Sequence, residues 1–95
     1  MSQTQIEKML IDIVCNLQEI SGREKVEVSA GTSPIEDVPG FDSLNCVEAT
    51  IEATDRLDKN LDFDNVFFDD NKALTIQQAA VRLLSSITKQ SAKQG

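Results

Sequence analysis

The sequence predicts an all-α fold: a four-helix bundle of three long helices and one short one, with a long loop between the first two. Three observations carry that prediction. Three segments repeat apolar residues at steps of three and four, the period of a helix that buries one face. The apolar content lies in Ile, Leu, Val and Ala, with four Phe and no Trp or Tyr, which suits packed helices better than a β-sandwich. Lys25-Val26-Glu27-Val28 alternates like a strand, but no other segment offers it a partner strand.

The first helix is marked by Ile6, Met9, Leu10, Ile13, Val14, Leu17 and Ile20, which form one stripe, and Gly22 closes it as a C-terminal glycine. Residues 21–41 have no helical period, and Gly31, Pro34, Pro39 and Gly40 mark turns. A loop of about 20 residues is uncommon in a compact domain. The economical solution is a loop that crosses the bundle and pins Val26, Val28, Ile35, Val38 and Phe41 onto it.

A second helix is expected from Asp42 to about Lys59, with Asp42 as N-cap. Leu44, Val47 and Ile51 point one way, Leu57 and Leu61 continue that stripe, and the small Cys46, Ala49 and Ala53 thin the packing. Glu48, Glu52, Asp55 and Asp58 fall on exposed flanks as an acidic ridge. Asp64 is expected to cap a short third turn over Asn65–Asp70, whose Val66, Phe67 and Phe68 plug one end of the core. The last helix opens on the capping-box pattern Thr75-Ile76-Gln77-Gln78 and continues through Ala79, Ala80, Leu83, Leu84 and Ile87. Residues after Lys89 are polar and expected to fray.

Ninety-five residues make one domain, 1–95, with an ordered core over about 4–88 and a polar C-terminal tail. The net charge of −7 divides into −9 between Glu36 and Asp70 and +2 elsewhere. Such a field repels nucleic acid and anionic membranes and attracts basic protein surfaces, unless it is merely a solvated face. Cys15 and Cys46 form no CxxC pair, so a disulfide framework and a zinc site are not expected, and a reducing, cytoplasmic setting is. The first residues lack the basic region of a signal peptide, and no apolar run is long enough to span a bilayer.

Ser43 is the residue on which function turns. It lies at the junction of the Gly/Pro-punctuated loop and the acidic helix. Its surroundings, Gly40-Phe41-Asp42-Ser43-Leu44, are not GxSxG, and the chain has no histidine to activate it, so catalysis is not expected. A calcium loop from Asp58 through Asn60, Asp62 and Asp64 to Asp69 has Phe63 where a glycine is needed and an aspartate in place of the bidentate glutamate; no metal site is expected. A phosphodiester on Ser43, by contrast, would meet unpaired N–H groups and the positive end of the helix dipole. The plain alternative is that Asp42 caps the helix and Ser43 is an ordinary first-turn residue.

Over roughly residues 4–88 the chain resembles the acyl carrier proteins of fatty-acid and polyketide synthesis. The resemblance rests on Gly40, Asp42-Ser43-Leu44 and Val47-Glu48 at the start of an acidic second helix, and on Leu74-Thr75-Ile76 before a final helix with Ala79-Ala80. It implies a non-catalytic carrier. A phosphopantetheinyl transferase would move 4′-phosphopantetheine from coenzyme A onto Ser43, and the arm's thiol would hold acyl groups as thioesters. Asp42, Leu44, Glu48, Glu52 and Asp55 are then expected to meet the basic docking patches of that transferase and of acyl-activating, acyl-transfer and chain-processing enzymes, with a monomeric carrier and salt-sensitive docking.

The chain departs from the pattern at several positions. Asn45 is neutral where an acid is frequent, Thr54 replaces a glutamate, Arg56 adds a positive charge, Phe41 is bulky, and Ala49 and Ala53 replace larger residues. These departures point to a specialised carrier, and the small residues either enlarge an acyl cavity or lower stability. Two other readings stay open: an aminoacyl or peptidyl carrier, and a structural adaptor of the same fold that needs no modification.

Overall fold

The structure is a computed structural model, and it describes residues 2–23, 26–57, 65–69 and 71–93, with side chains through Thr88. Among the described residues, four helices and one two-stranded sheet follow in the order α1 (Gln3–Ile20), α2 (Pro34–Asp37), α3 (Ser43–Leu57), β1 (Phe68–Asp69), β2 (Lys72–Ala73) and α4 (Ile76–Lys93). α1 packs against both α3 and α4, and α2 packs against α3.

Helix α1 follows its expected stripe except at its last member: Ile6, Leu10, Ile13 and Val14 are buried and Met9 and Leu17 pack beside them, whereas Ile20 is exposed. Ser2 and Gln5 form a capping box at its start, an unexpected closure that lets the helix begin at Gln3. At its end Gly22 takes φ +68°. The Gly22 N–H donates to the Glu19 carbonyl and the Arg23 N–H to the Gln18 carbonyl, the paired bonds of a Schellman ending.

The first loop is tied down as expected. Val38 and Phe41 are buried, and Val26, Val28 and Ile35 pack against the core. Its carbonyls also finish α4, whose Ile76 and Gln77 N–H groups donate to Thr32 O (2.8 Å) and Ala30 O (2.9 Å). These are two of the N–H groups that a helix start leaves without internal acceptors. The reciprocal bonds of Thr75 and Gln78 supply the expected capping box. Ile76, Ala79, Ala80 and Leu83 are buried, and the helical backbone runs on to Lys93, past the expected fraying point.

Two expectations need correction. The short helix is not at Asn65–Asp70 but in the first loop, at Pro34–Asp37, where Pro34 presets the first-turn φ and the Asp37 carboxylate accepts from the Ser33 N–H at 2.8 Å. The described part of 65–70 makes a turn and enters a hairpin that pairs Phe68 with Ala73 and Asp69 with Lys72. Backbone groups that a helical turn would bond internally are taken here by side chains. The Val66 N–H donates to Thr50 Oγ1 (2.9 Å) and the Phe67 N–H to Asn65 Oδ1 (2.9 Å). Arg82 donates to the carbonyls of Val66 and Phe68, both at 3.1 Å. Val66 and Phe67 do plug the core, whereas Phe68 alternates outward. The expected cap Asp64, the calcium-loop positions 58–64, and Leu61 lie outside the described residues.

Candidate functional site

Ser43 is the first residue of α3, and its side chain is exposed. The cap before it is the one the sequence calls for. Asp42 Oδ1 accepts from the Asn45 N–H at 3.0 Å, and Asn45 Oδ1 accepts from the Asp42 N–H at 3.4 Å, so the two residues cap each other. Among the described residues nothing hydrogen-bonds the Ser43 hydroxyl, and no acceptor meets the N–H groups of Ser43 and Leu44.

The turn is fixed from behind by Arg23, which the sequence reading overlooked. Its guanidinium donates to Gly40 O (2.6 Å), to Gln18 Oε1 (3.1 Å) and to Asn45 Oδ1 (2.9 Å). Gln18 in turn donates to Pro39 O at 3.1 Å. Gln18 of α1 and Arg23 just beyond it thus grip the two backbone carbonyls that precede the buried Phe41, and Arg23 also holds the Asn45 side chain after it. Gly40 is needed for two reasons: its φ is +76°, and a Cβ there would lie 2.6 Å from Arg23 Cδ.

Several departures from the carrier pattern acquire a structural account. Asn45 is nearly buried and uses both ends of its amide, accepting from Arg23 and Asp42 while donating to Glu48 Oε1 at 3.4 Å. A carboxylate could only accept. Arg56 bridges Asp12 of α1 (2.8 Å) and Glu52 (3.1 Å), and these hydrogen bonds hold its pKa above the ordinary arginine value. Thr54 bonds back to the Ile51 carbonyl at 3.0 Å.

Helix α3 is rotated relative to the expected stripe. Its buried residues are Asn45, Cys46, Ala49, Thr50 and Ala53, while Leu44 is 67% and Ile51 63% exposed and Val47 is half-buried. The small residues also recur at helical spacing, and the polar anchors decide between the two faces. Asn45 is held by Arg23, and Thr50 stands between Cys46 O (2.7 Å) and the Val66 N–H (2.9 Å). Cys46 is completely buried, and its thiol is pushed up to about 12, first by desolvation and then by the charge of Asp42. It is inert packing, not a reactive neighbour of Ser43.

Asp42, Leu44, Glu48, Glu52 and Asp55, all expected to meet partners, are all exposed. The ridge is therefore mixed: acidic along Glu48, Glu52 and Asp55, apolar at Leu44 and Ile51, with Glu52 paired to Arg56. Two grooves flank the opposite sides of α1. One, of about 420 Å³, is lined by Cys15, Glu19, Val26 and Val28 beside Gln18 and Arg23. The other, of about 270 Å³, lies between α1 and α3. Neither is lined by Ala49 or Ala53, which lie fully buried in the core.

Among the described residues no group of three or more His, Cys, Asp or Glu side chains is placed to hold a metal. No helix among them is long and apolar enough to cross a membrane. Comparison with protein-family models, with curated proteins and with solved structures found no match in any of the three.

Proposed function

We propose that this chain is an acyl carrier of the acyl carrier protein family, loaded at Ser43 with 4′-phosphopantetheine and working in the cytoplasm as a monomer. On this reading the four helices are that family's bundle. The observation that carries it is the state of Ser43: an exposed hydroxyl without a hydrogen-bond partner among the described residues, on a first helical turn whose backbone is fixed by Asp42, Asn45 and Arg23.

The chain's part in loading is presentation. Ser43 Oγ would form the new O–P bond as the pyrophosphate bond of coenzyme A breaks and adenosine 3′,5′-bisphosphate leaves, with the hydroxyl proton passing to a base of the transferase. The chain has no histidine, and Asp42 is engaged in the cap. The free N–H groups of Ser43 and Leu44, at the positive end of α3, suit the phosphodiester once formed. The Arg23 network keeps the turn from rearranging as the hydroxyl is approached. The acidic flank of α3 attracts basic acyl-processing enzymes, and exposed Leu44 and Ile51 give them apolar contact.

The test is incubation with coenzyme A and a broad-specificity phosphopantetheinyl transferase, followed by digestion and mass spectrometry. The expected result is one phosphopantetheine on the peptide that contains Ser43. Modification elsewhere, or none, removes the reading. Cargo is decided by offering the loaded chain to acyl and to aminoacyl adenylating enzymes, and acyl transfer is expected. An adaptor that needs no modification is the second reading, supported by the outward Leu44 and Ile51, which could dock a partner by themselves. It gains if Ser43→Ala retains the chain's cellular activity and its partners.

A further inference from the structure

We propose that the groove between α1 and α3 receives a lysine or arginine side chain from a basic partner protein, with α1 supplying an apolar floor and α3 the acid. Its walls are Ile13, Leu17 and Ile20 with the polar Asn16 on one side and Glu48, Glu52 and Arg56 on the other. The two helices run antiparallel, since Asp12 meets Arg56 while Gln18 and Arg23 reach the start of α3. The groove thus has a far end at Arg56 and a near end at Ile20 and Glu48.

The far end already displays the kind of occupant that fits. Arg56 lies there with its guanidinium 2.8 Å from Asp12 on one wall and 3.1 Å from Glu52 on the other. The near end repeats the pairing of apolar floor and carboxylate without a cation. Among the described residues, Glu48 receives only the long 3.4 Å bond from Asn45 Nδ2. Ile20 is 81% exposed, more than Leu44 or Ile51. A scattered surface isoleucine needs no explanation, but this one stands at a groove mouth beside an unneutralised acid.

Lysine and arginine match both halves of that environment. Their methylene stems can lie on Leu17 and Ile20 while the cation meets Glu48. A purely apolar side chain would leave Glu48 desolvated and unpaired, and an anion would be repelled. The volume suits one long side chain, with the rest of the partner lying on the crest formed by Leu44 and Ile51. The inference deepens the docking reading given above, because it makes α1 half of the surface. It rests on a basic partner and does not require Ser43 to be modified.

The test is an NMR titration of the full-length ¹⁵N-labelled chain with a helical arginine–leucine peptide at low salt. Amide shifts are expected at Leu17, Ile20, Glu48 and Glu52, saturating together. Ile20→Ser, at a position exposed enough to spare the fold, should weaken binding about tenfold, as losing most of a buried apolar side chain implies. Glu48→Gln should flatten the salt dependence, and a peptide with citrulline in place of arginine should bind far less tightly. Absence of binding, indifference to Ile20→Ser, or shifts confined to Leu44, Ile51 and Asp55 would overturn the proposal. Failure of Ser43 to accept phosphopantetheine would remove the carrier reading and leave this result standing.

Discussion

Helices α1 and α3 use the same period in opposite ways. α1 buries Ile6, Leu10, Ile13 and Val14, so its large apolar stripe is its core face. α3 buries Cys46, Ala49 and Ala53 with the polar Asn45 and Thr50, and turns Leu44 and Ile51 to solvent. The difference is one of division of labour. Large residues on α1 pack into one core with the small residues of α3, and α3 leaves its own Leu44 and Ile51 at the surface. Its rotation is set less by hydrophobicity than by hydrogen bonds, at Asn45 from Arg23 and at Thr50 with Val66.

The contrast can be broken most forcefully in the core. Leu10→Ala should destabilise the chain by about 3 kcal/mol in urea unfolding, the usual result of emptying a packed leucine site. A loss of a few tenths would mean that α1 is not the wall of the core. Arg23→Ala comes next, at about 2–3 kcal/mol, because it removes a charged donor that Gly40 O and the buried Gln18 and Asn45 share. Arg23→Lys should recover little, since an ammonium cannot fork across the same acceptors. Gly40→Ala should cost about 1–2 kcal/mol from the positive φ alone, with the contact at Arg23 adding to it.

A pH series sharpens the contrast on the α3 side. The Cys46 thiol has a folded-state value near 12 against an ordinary 9.0. The folded chain therefore holds that proton more tightly than the unfolded chain does. The associated stability is complete below pH 9.0 and is lost as pH rises towards about 12. Cys46→Ala should be less sensitive than wild type over that window, and equal slopes would show that this face of α3 is hydrated. The smallest effects belong to the outward residues. Leu44→Ala and Ile51→Ala should each change stability by less than about 0.5 kcal/mol, while slowing loading by the transferase in proportion to lost docking.

What could be read in the sequence was whatever depends on near neighbours. The Gly22 ending, the Asp42 cap, the Thr75–Gln78 box and the α4 stripe involve residues at most a few positions apart, and each forms as the sequence suggests. The exposure of Ser43 followed from the same local logic. What escaped depends on distant partners. Arg23 looks like any loop cation until Gly40 and Asn45, 17 and 22 residues on, come to meet it. The rotation of α3 was ambiguous because Leu44-Val47-Ile51 and Cys46-Ala49-Ala53 both fit a helical face. The Val66–Phe68 segment resembled a helical turn because nothing in it announces that Thr50 and Arg82 will take its backbone groups. One signal was available: Asn45, a neutral amide in an acidic run, marked a position that needed both a donor and an acceptor.

The central claim is that Ser43 is where cargo is tethered, and intact-mass spectrometry tests it most directly. Wild type and Ser43→Ala are incubated in parallel with coenzyme A and the transferase. The account predicts a gain of one phosphopantetheine by the wild type and no gain by the variant. A wild type that stays unmodified, or a variant that gains the same mass, would contradict it.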